Sequence, residues 1–268
     1  MKGEVCISIN GKKCQAREGE PVLQAARRNG FFIPSLCYHE ALEPYAACRL
    51  CLVEVLGGPA PAGVTTSCTL RASEGLEVLT ECEEVASLRR IVLELHLARA
   101  PEAEVVRSLA ETYGVKAGRL VREPDPSDPL GNRCVLCGLC VRVCSEALGV
   151  GAIDFIGRGY ATRVNTPYLE ASSVCTGCGA CAEVCPTGAV RWEEGKEARV
   201  MHSWSGTAVP FRKCARCGRS FGPDALAAYA YARVPDLDAS LRDLCPDCRR
   251  KDFSQRTLFY AANPQSVE

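Results

Sequence analysis

The chain has 268 residues, enough for about two domains of ordinary size, and 32 basic residues balance 32 acidic ones. That balance gives no broad surface for nucleic acid or anionic membrane, and no apolar run reaches the length of about 18 that a membrane span needs. Cysteine is the outlier at 19. With no apolar leader at the N-terminus, the expectation is a cytoplasmic chain whose thiols bind metal rather than pair as disulfides.

Residues 3–9 alternate, with Val5, Ile7 and Ile9 on one face, and run into Asn10-Gly11, a type I′ hairpin signal. A two-residue loop sets Ile7 opposite Cys14 and points Cys6 to the other face, so both thiols read as small hydrophobes. Pro21 fits the first position of a helix over Val22–Asn29, and Gly30 ends it. Three cysteines then follow on a loop, Cys37, Cys48 and Cys51, with Cys68 further on. Hairpin, helix, loop-borne triplet and distant fourth Cys describe a β-grasp [2Fe–2S] ferredoxin plan over residues 1–82, with these four as ligands.

Plant-type ferredoxins space the first three as C-x₄-C-x₂-C. Here the first gap is ten residues, then two to Cys51 and sixteen to Cys68. The longer gap, with Ala47-Cys48-Arg49-Leu50-Cys51-Leu52-Val53-Glu54-Val55, resembles the N-terminal domain of the large iron–sulfur subunit of NADH:quinone oxidoreductase (complex I). The same domain occurs in NAD-linked and electron-bifurcating hydrogenases and in some formate dehydrogenases.

Residues 83–132 read as a helical segment and linker. A helix over 83–98 places Val85, Leu88, Val92 and Leu95 on one apolar face, with Cys82 packing at its start, and a second helix spans 102–113 before Gly114. The resemblance implies a ligand His followed by three Cys in this region. Ala100 stands at the His position and residues 83–133 contain no Cys, so the resemblance breaks here and that cluster is expected to be lost. His96 lies four positions early with no nearby Cys, and reads as a surface or core histidine. The prolines of 123–131 disfavour a helix and mark a linker.

Two matching runs follow in residues 133–198. Cys134, Cys137, Cys140 and Cys144, then Cys175, Cys178, Cys181 and Cys185-Pro186, both obey C-x₂-C-x₂-C-x₃-C with a constant offset of 41 residues. In bacterial ferredoxins of this pattern the fourth Cys ligates the other [4Fe–4S] cube. One cube is therefore assigned to Cys134, Cys137, Cys140 and Cys185, the other to Cys175, Cys178, Cys181 and Cys144. Zinc ligands usually come as two C-x₂₋₄-C units, not as a triplet with a trailing Cys. Gly151-Ala-Ile153 and Gly188-Ala-Val190 read as matching strand starts, and the insert over 154–173 offers a docking edge.

Residues 199–268 carry Cys214-Ala-Arg-Cys217-Gly and Cys245-Pro-Asp-Cys248, two knuckles separated by 27 residues. The expectation is a Cys₄ zinc-ribbon-like module around Asp224–Arg233 as a helix, with Zn²⁺ ahead of a third [4Fe–4S] cluster on the same thiolates. Arg216, Arg219, Arg249 and Arg250 read as partner-docking or stapling residues.

The fold class is α+β throughout. Thiolate-ligated clusters carry one electron each and offer no open coordination site. No P-loop or G-x-G-x-x-G is present, and Gly157-Arg-Gly159 is a turn. The chain therefore reads as a non-catalytic iron–sulfur electron-transfer subunit. The resemblance implies a flavin- and NAD(H)-binding partner at one end and a hydrogenase or formate dehydrogenase catalytic subunit, or ferredoxin, at the other. Two rival readings are an iron–sulfur redox regulator with a nucleic-acid-binding ribbon and a self-contained oxidoreductase holding a flavin; the first lacks a basic stripe.

Overall fold

Asn10 and Gly11 are both left-handed, φ 51° and 77°, which is the twist a two-residue type I′ loop requires. They join β1 (Glu4–Ile9) to β2 (Lys12–Arg17) in the expected register, Ile7 opposite Cys14. Cys14 is buried with Ile7 and Ile9, whereas Cys6 is only half-buried. The computed structural model describes residues 3–116, 123–234 and 242–262. Pro21 caps α1 (Val22–Arg28), which ends at Asn29 and turns away at Gly30, φ 82°. Val22, Leu23, Ala25 and Ala26 seat this helix on a five-stranded sheet completed by β3 (Leu52–Gly57), β4 (Gly63–Thr66) and β5 (Glu77–Leu79). The strand order is β2-β1-β5-β3-β4, with β1 and β5 parallel. This is the β-grasp arrangement that the hairpin and helix foretold.

Cys82 caps α2 (Glu83–Arg99), its sulfur accepting from the Val85 N–H at 3.5 Å. The buried face of α2 differs from the periodicity: Val85, Arg89 and Leu93 are buried, while Leu88 and Leu95 are exposed. The reason lies in Arg89. Its guanidinium donates to the Leu50 and Leu52 carbonyls (3.1 and 2.7 Å), to Glu81 (2.7 Å) and to the Tyr113 hydroxyl (2.9 Å). A buried charge is tolerable only when paired in this way, and here it fastens α2 to the strand that follows Cys48 and Cys51. The helix α3 (Glu104–Thr112) packs back on α2 and buries Val106 and Ala110.

The cysteine-rich unit is built on two short helices, α4 (Leu139–Arg142) and α5 (Ala180–Glu183), which pack against one another. Residues 151–153 and 188–190 are not strands. Ala152, Ile153, Ala189 and Val190 bury their side chains as extended segments without ladder partners. The strand begins three residues later, at β6 (Asp154–Ile156), paired with β7 (Arg163–Asn165) across a Gly157 turn. A Cβ on Gly157 would stand 2.6 Å from the Ala161 carbonyl oxygen, so only glycine fits that turn.

The last unit holds β8 (Glu193–Glu194), β9 (Ala198–Met201), β10 (Thr207–Lys213) and β11 (Ser220–Pro223) in the order β11-β10-β9-β8. Beyond them lie α6 (Asp224–Tyr231) and, further on, α7 (Pro246–Ala262). The second knuckle therefore differs from a ribbon: Cys248 lies in the first turn of α7, not on a second strand pair. Among the described residues no helix is long and apolar enough to cross a membrane.

Candidate metal centres

The loop before β3 carries Cys37, Cys48 and Cys51, Cys68 follows β4, and all four are buried. Cys37 Sγ lies 3.4 Å from Cys48 Sγ, the Leu36 N–H donates to Cys48 Sγ at 3.3 Å, and the Cys48 N–H donates to Cys37 Sγ at 3.4 Å. Ala46 and Arg49, both at φ 56°, bend the loop around these sulfurs. Left-handed non-glycine residues cost roughly 1–2 kcal/mol each, and the loop keeps two beside Cys48. The Cys37 hydrogen bond, followed by backbone N–H groups, pulls the Cys48 thiol down to about 5 despite its burial. Cys51 in turn hydrogen-bonds to Cys68 and lowers it. The same hydrogen bonds push Cys37 and Cys51 up, so each pair holds one proton that a bound metal would displace. Four sulfurs in a dry pocket suit a cluster of soft metal ions.

His96 does not belong to this thiol set, but its sequence neighbourhood undersells it. Its Nε2 lies 2.9 Å from the Cys48 carbonyl oxygen, so it is near a cysteine after all, at the backbone rather than at sulfur. Ala100 is fully buried with Ala103 and Val106 in one apolar cluster that also holds Cys37, Cys48 and Cys137. Apolar packing thus occupies the region where the resemblance implied a His–Cys₃ cluster.

The eight cysteines of the second unit line two cavities. One has Cys134, Cys137, Cys140 and Cys185 in its wall. The other has Cys144, Cys175, Cys178 and Cys181. Each triplet rides one tight loop, and the fourth sulfur arrives from the other half. The loops turn at Gly138 and Gly179, φ 77° and 80°, which cap α4 and α5. Backbone N–H groups aim at the sulfurs: Leu136 to Cys134 at 3.4 Å, Ala152 to Cys144 at 3.4 Å and Gly177 to Cys175 at 3.5 Å.

Burial, followed by the charge of neighbouring thiols, pushes Cys134 up to about 11 and Cys137 up to about 12. Burial likewise takes Cys181 to about 12. Crowded thiols hold one another protonated, and a bound cation reverses that by supplying the missing positive charge. Among the described residues neither cavity is walled by a carboxylate or an amine; besides the sulfurs, the polar side chains in the walls are Thr176, Thr187 and Trp204. Four thiols converging in an apolar cavity fit an iron–sulfur cube.

The third cysteine group is tighter. The Sγ atoms of Cys214, Cys217, Cys245 and Cys248 all lie within 4.8 Å of one another. Cys217 and Cys245 are 3.8 Å apart, the Cys245 N–H donates to Cys214 Sγ at 3.3 Å, and Arg219 donates to Cys245 Sγ at 3.3 Å. The β10–β11 turn supplies the first pair and the start of α7 the second. The arginines around it are held within the module. Arg216 pairs with Asp252 at 2.6 Å, Arg219 and Arg250 share Asp247, and Arg249 reaches the Tyr231 hydroxyl. Such internal pairing is that of a staple, not of a basic face turned outward.

Trp204, which no sequence motif singles out, lines both cavities and donates its indole N–H to Cys181 Sγ at 3.3 Å. It stands in the β9–β10 turn, outside any cysteine run, and nothing in its sequence neighbourhood signals that position.

A β-grasp unit with four buried thiols, joined to a crossed two-cavity unit, defines an iron–sulfur protein of ferredoxin architecture. The 2Fe-2S iron-sulfur cluster binding domain family matches residues 2–83, and the 4Fe-4S dicluster domain family matches 133–189 and 174–220. The chain is 33% identical over 205 residues to the NADPH-Fe(3+) oxidoreductase subunit alpha of Geobacter sulfurreducens, covering 69% of this chain and 24% of that protein. It is 30% identical over 205 residues to the NADH-ubiquinone oxidoreductase 75 kDa subunit of Reclinomonas americana, covering 69% and 29%. A solved chain of an NAD⁺-reducing [NiFe]-hydrogenase in the H₂-reduced state shares 32% identity and a TM-score of 0.56, over 69% of this chain and 85% of that one. The chain belongs to the family of iron–sulfur subunits that contains the complex I large iron–sulfur subunit and its counterparts in NAD(P)-linked hydrogenases. It spans about a quarter to a third of the length of the curated relatives it matches.

Proposed function

We propose that this chain is a non-catalytic electron relay of a multisubunit, NAD(P)-linked redox complex. One [2Fe–2S] cluster is held by Cys37, Cys48, Cys51 and Cys68. One cube is held by Cys134, Cys137, Cys140 and Cys185, the other by Cys144, Cys175, Cys178 and Cys181. The observation that carries the reading is the continuity of the buried thiols. Cys37, Cys48 and Cys137 share one apolar cluster, while Cys134, Cys140, Cys144, Cys175, Cys181 and Cys185 share the next. Cys48 is close enough for its charge to add to the rise at Cys137. The bound clusters supply one-electron chemistry; the chain supplies thiolates, N–H donors and a dry path between them.

The expected partners are a flavin- and NAD(H)-binding subunit on one side and a hydrogenase or formate dehydrogenase catalytic subunit, or ferredoxin, on the other. Electron bifurcation and a cytoplasmic setting belong to the same proposal, as do the four domains at 1–82, 83–132, 133–198 and 199–268. At Cys214, Cys217, Cys245 and Cys248 we place a single Zn²⁺. Thiolates about 2.3 Å from one tetrahedral ion stand about 3.8 Å apart, the spacing seen between Cys217 and Cys245. A cube spreads its ligands wider.

The test is anaerobic metal analysis followed by NADH-driven bleaching. About ten iron atoms per chain, from one [2Fe–2S] and two [4Fe–4S] clusters, with zinc near one equivalent, is the expected content. Iron near fourteen atoms overturns the zinc assignment. The single chain should bleach with dithionite and not with NADH, because a hydride donor needs a flavin to split the electron pair. Rapid bleaching of the flavin-free chain by NADH refutes the relay.

A further inference from the structure

The two cube cavities are related by a repeat of 41 residues that places Cys140 and Cys181 at equivalent positions. Their surroundings are not equivalent. Trp204 is 1% exposed, lines both cavities and gives its only indole N–H to Cys181 Sγ at 3.3 Å. Among the described residues no side-chain donor reaches Cys140.

The backbone that carries the indole is held from several directions. The Trp204 backbone N–H donates to the Met201 carbonyl at 3.0 Å, and the Trp204 carbonyl accepts from the Thr207 hydroxyl at 2.6 Å. Next to it, buried Ser203 accepts from the Arg191 N–H at 2.8 Å, and Ser205 is hydrogen-bonded to Thr166 at 2.9 Å. A donor fixed this firmly keeps its aim when charge at the sulfur changes.

We infer that Trp204 differentiates the two cubes: its N–H raises the reduction potential of the cluster held by Cys144, Cys175, Cys178 and Cys181 and leaves the other unmoved. The inference rests on the ligand sets proposed above. One-electron reduction adds negative charge that spreads onto the ligand sulfurs, and no bond forms or breaks. A hydrogen bond to such a sulfur stabilises the more negative state, which is one of the ways proteins tune these potentials. Trp204 acts on the ligand, so it is a positioning and tuning residue rather than a catalytic one.

The experiment is a redox titration of the full chain followed by EPR, with dithionite as the electron source, for wild type and Trp204→Phe. Phenylalanine keeps the apolar wall and removes the donor. The expected result is a shift to lower potential for one cube alone, with its reduction constant down on the order of tenfold, the scale of a hydrogen bond to a charged acceptor. Unmoved potentials, or equal shifts of both cubes, overturn the inference. A wild-type chain without the cubes' eight or so irons overturns the ligand reading itself and this inference with it.

Should Trp204→Phe not fold, Trp192→Phe labelled with ¹⁵N-indole leaves Trp204 as the sole labelled ring. Pulsed EPR of the reduced sample should then show ¹⁵N coupling to one cube, and its absence overturns the hydrogen bond.

Discussion

The two halves of the cysteine-rich unit share a motif and differ in what packs on it. Leu136 and Gly177 occupy the same place in the repeat, between the first two cysteines, and both are left-handed, φ 55° and 67°. The first half tolerates a leucine there at a cost of roughly 1–2 kcal/mol. In the second half a Cβ on Gly177 would stand 3.1 Å from Val209 and 3.3 Å from Pro223. The difference is the C-terminal unit, which lies on the second loop. Arg199 donates to the Gly177 carbonyl at 2.6 Å and stacks on Trp192. Under the first loop, Gly138 faces Phe155 and Tyr45 instead. Equal cysteine spacing thus sets equal cavities, while the neighbours decide how each is covered.

The largest effect that can break this pairing is removal of a crossing cysteine. Cys185→Ala should abolish the same EPR signal as Cys134→Ala and leave that of Cys175→Ala in place, with about four irons lost. If the Cys185 and Cys175 variants coincide, the crossing is wrong.

A smaller effect separates the coverings. Gly177→Ala should destabilise the chain by roughly 1–3 kcal/mol, through its strained φ and its clash with Val209. It should also lower zinc retention, because the clash pushes at the C-terminal unit. Thermal denaturation and zinc analysis read both, and an unchanged melting point with full zinc contradicts the packing described.

The smallest belongs to the mirror substitution. Leu136→Gly relieves left-handed strain but gives up a half-buried side chain, so its stability should stay within about 1 kcal/mol of wild type. A loss as large as that of Gly177→Ala would erase the contrast between the halves.

Much of this was legible in the residues. The Asn10-Gly11 pair fixed strand register down to Ile7 opposite Cys14, because a two-residue loop leaves no freedom of alignment. The cysteine spacings placed eight thiols around two cavities, because a tight loop can present only its own three. Other features escaped for equally physical reasons. Arg89 is polar by type, so the apolar face of α2 was read from Val85, Leu88, Val92 and Leu95 without it, yet its head is satisfied by carbonyls that belong to a different element. Asp154 starts a strand where Gly151 was expected to, since a ladder needs a partner and Arg163–Asn165 lies only opposite 154–156. Trp204 and the Cys248 helix depend on long-range packing that no local pattern encodes.

The crossing of Cys144 and Cys185 also bears on how the chain is made. Neither cavity has its fourth sulfur until the other segment exists: the first waits for Cys185 and the second for Cys175, Cys178 and Cys181. A nascent chain emerging from the ribosome therefore cannot finish either cavity before residue 181, and a break anywhere between Cys144 and Cys175 leaves both incomplete. Once filled, the two clusters act as a double clasp over the same stretch of backbone, so the loop-closure entropy surrendered to the first need not be surrendered again in full for the second. Assembly of the pair is cooperative by chain connectivity alone.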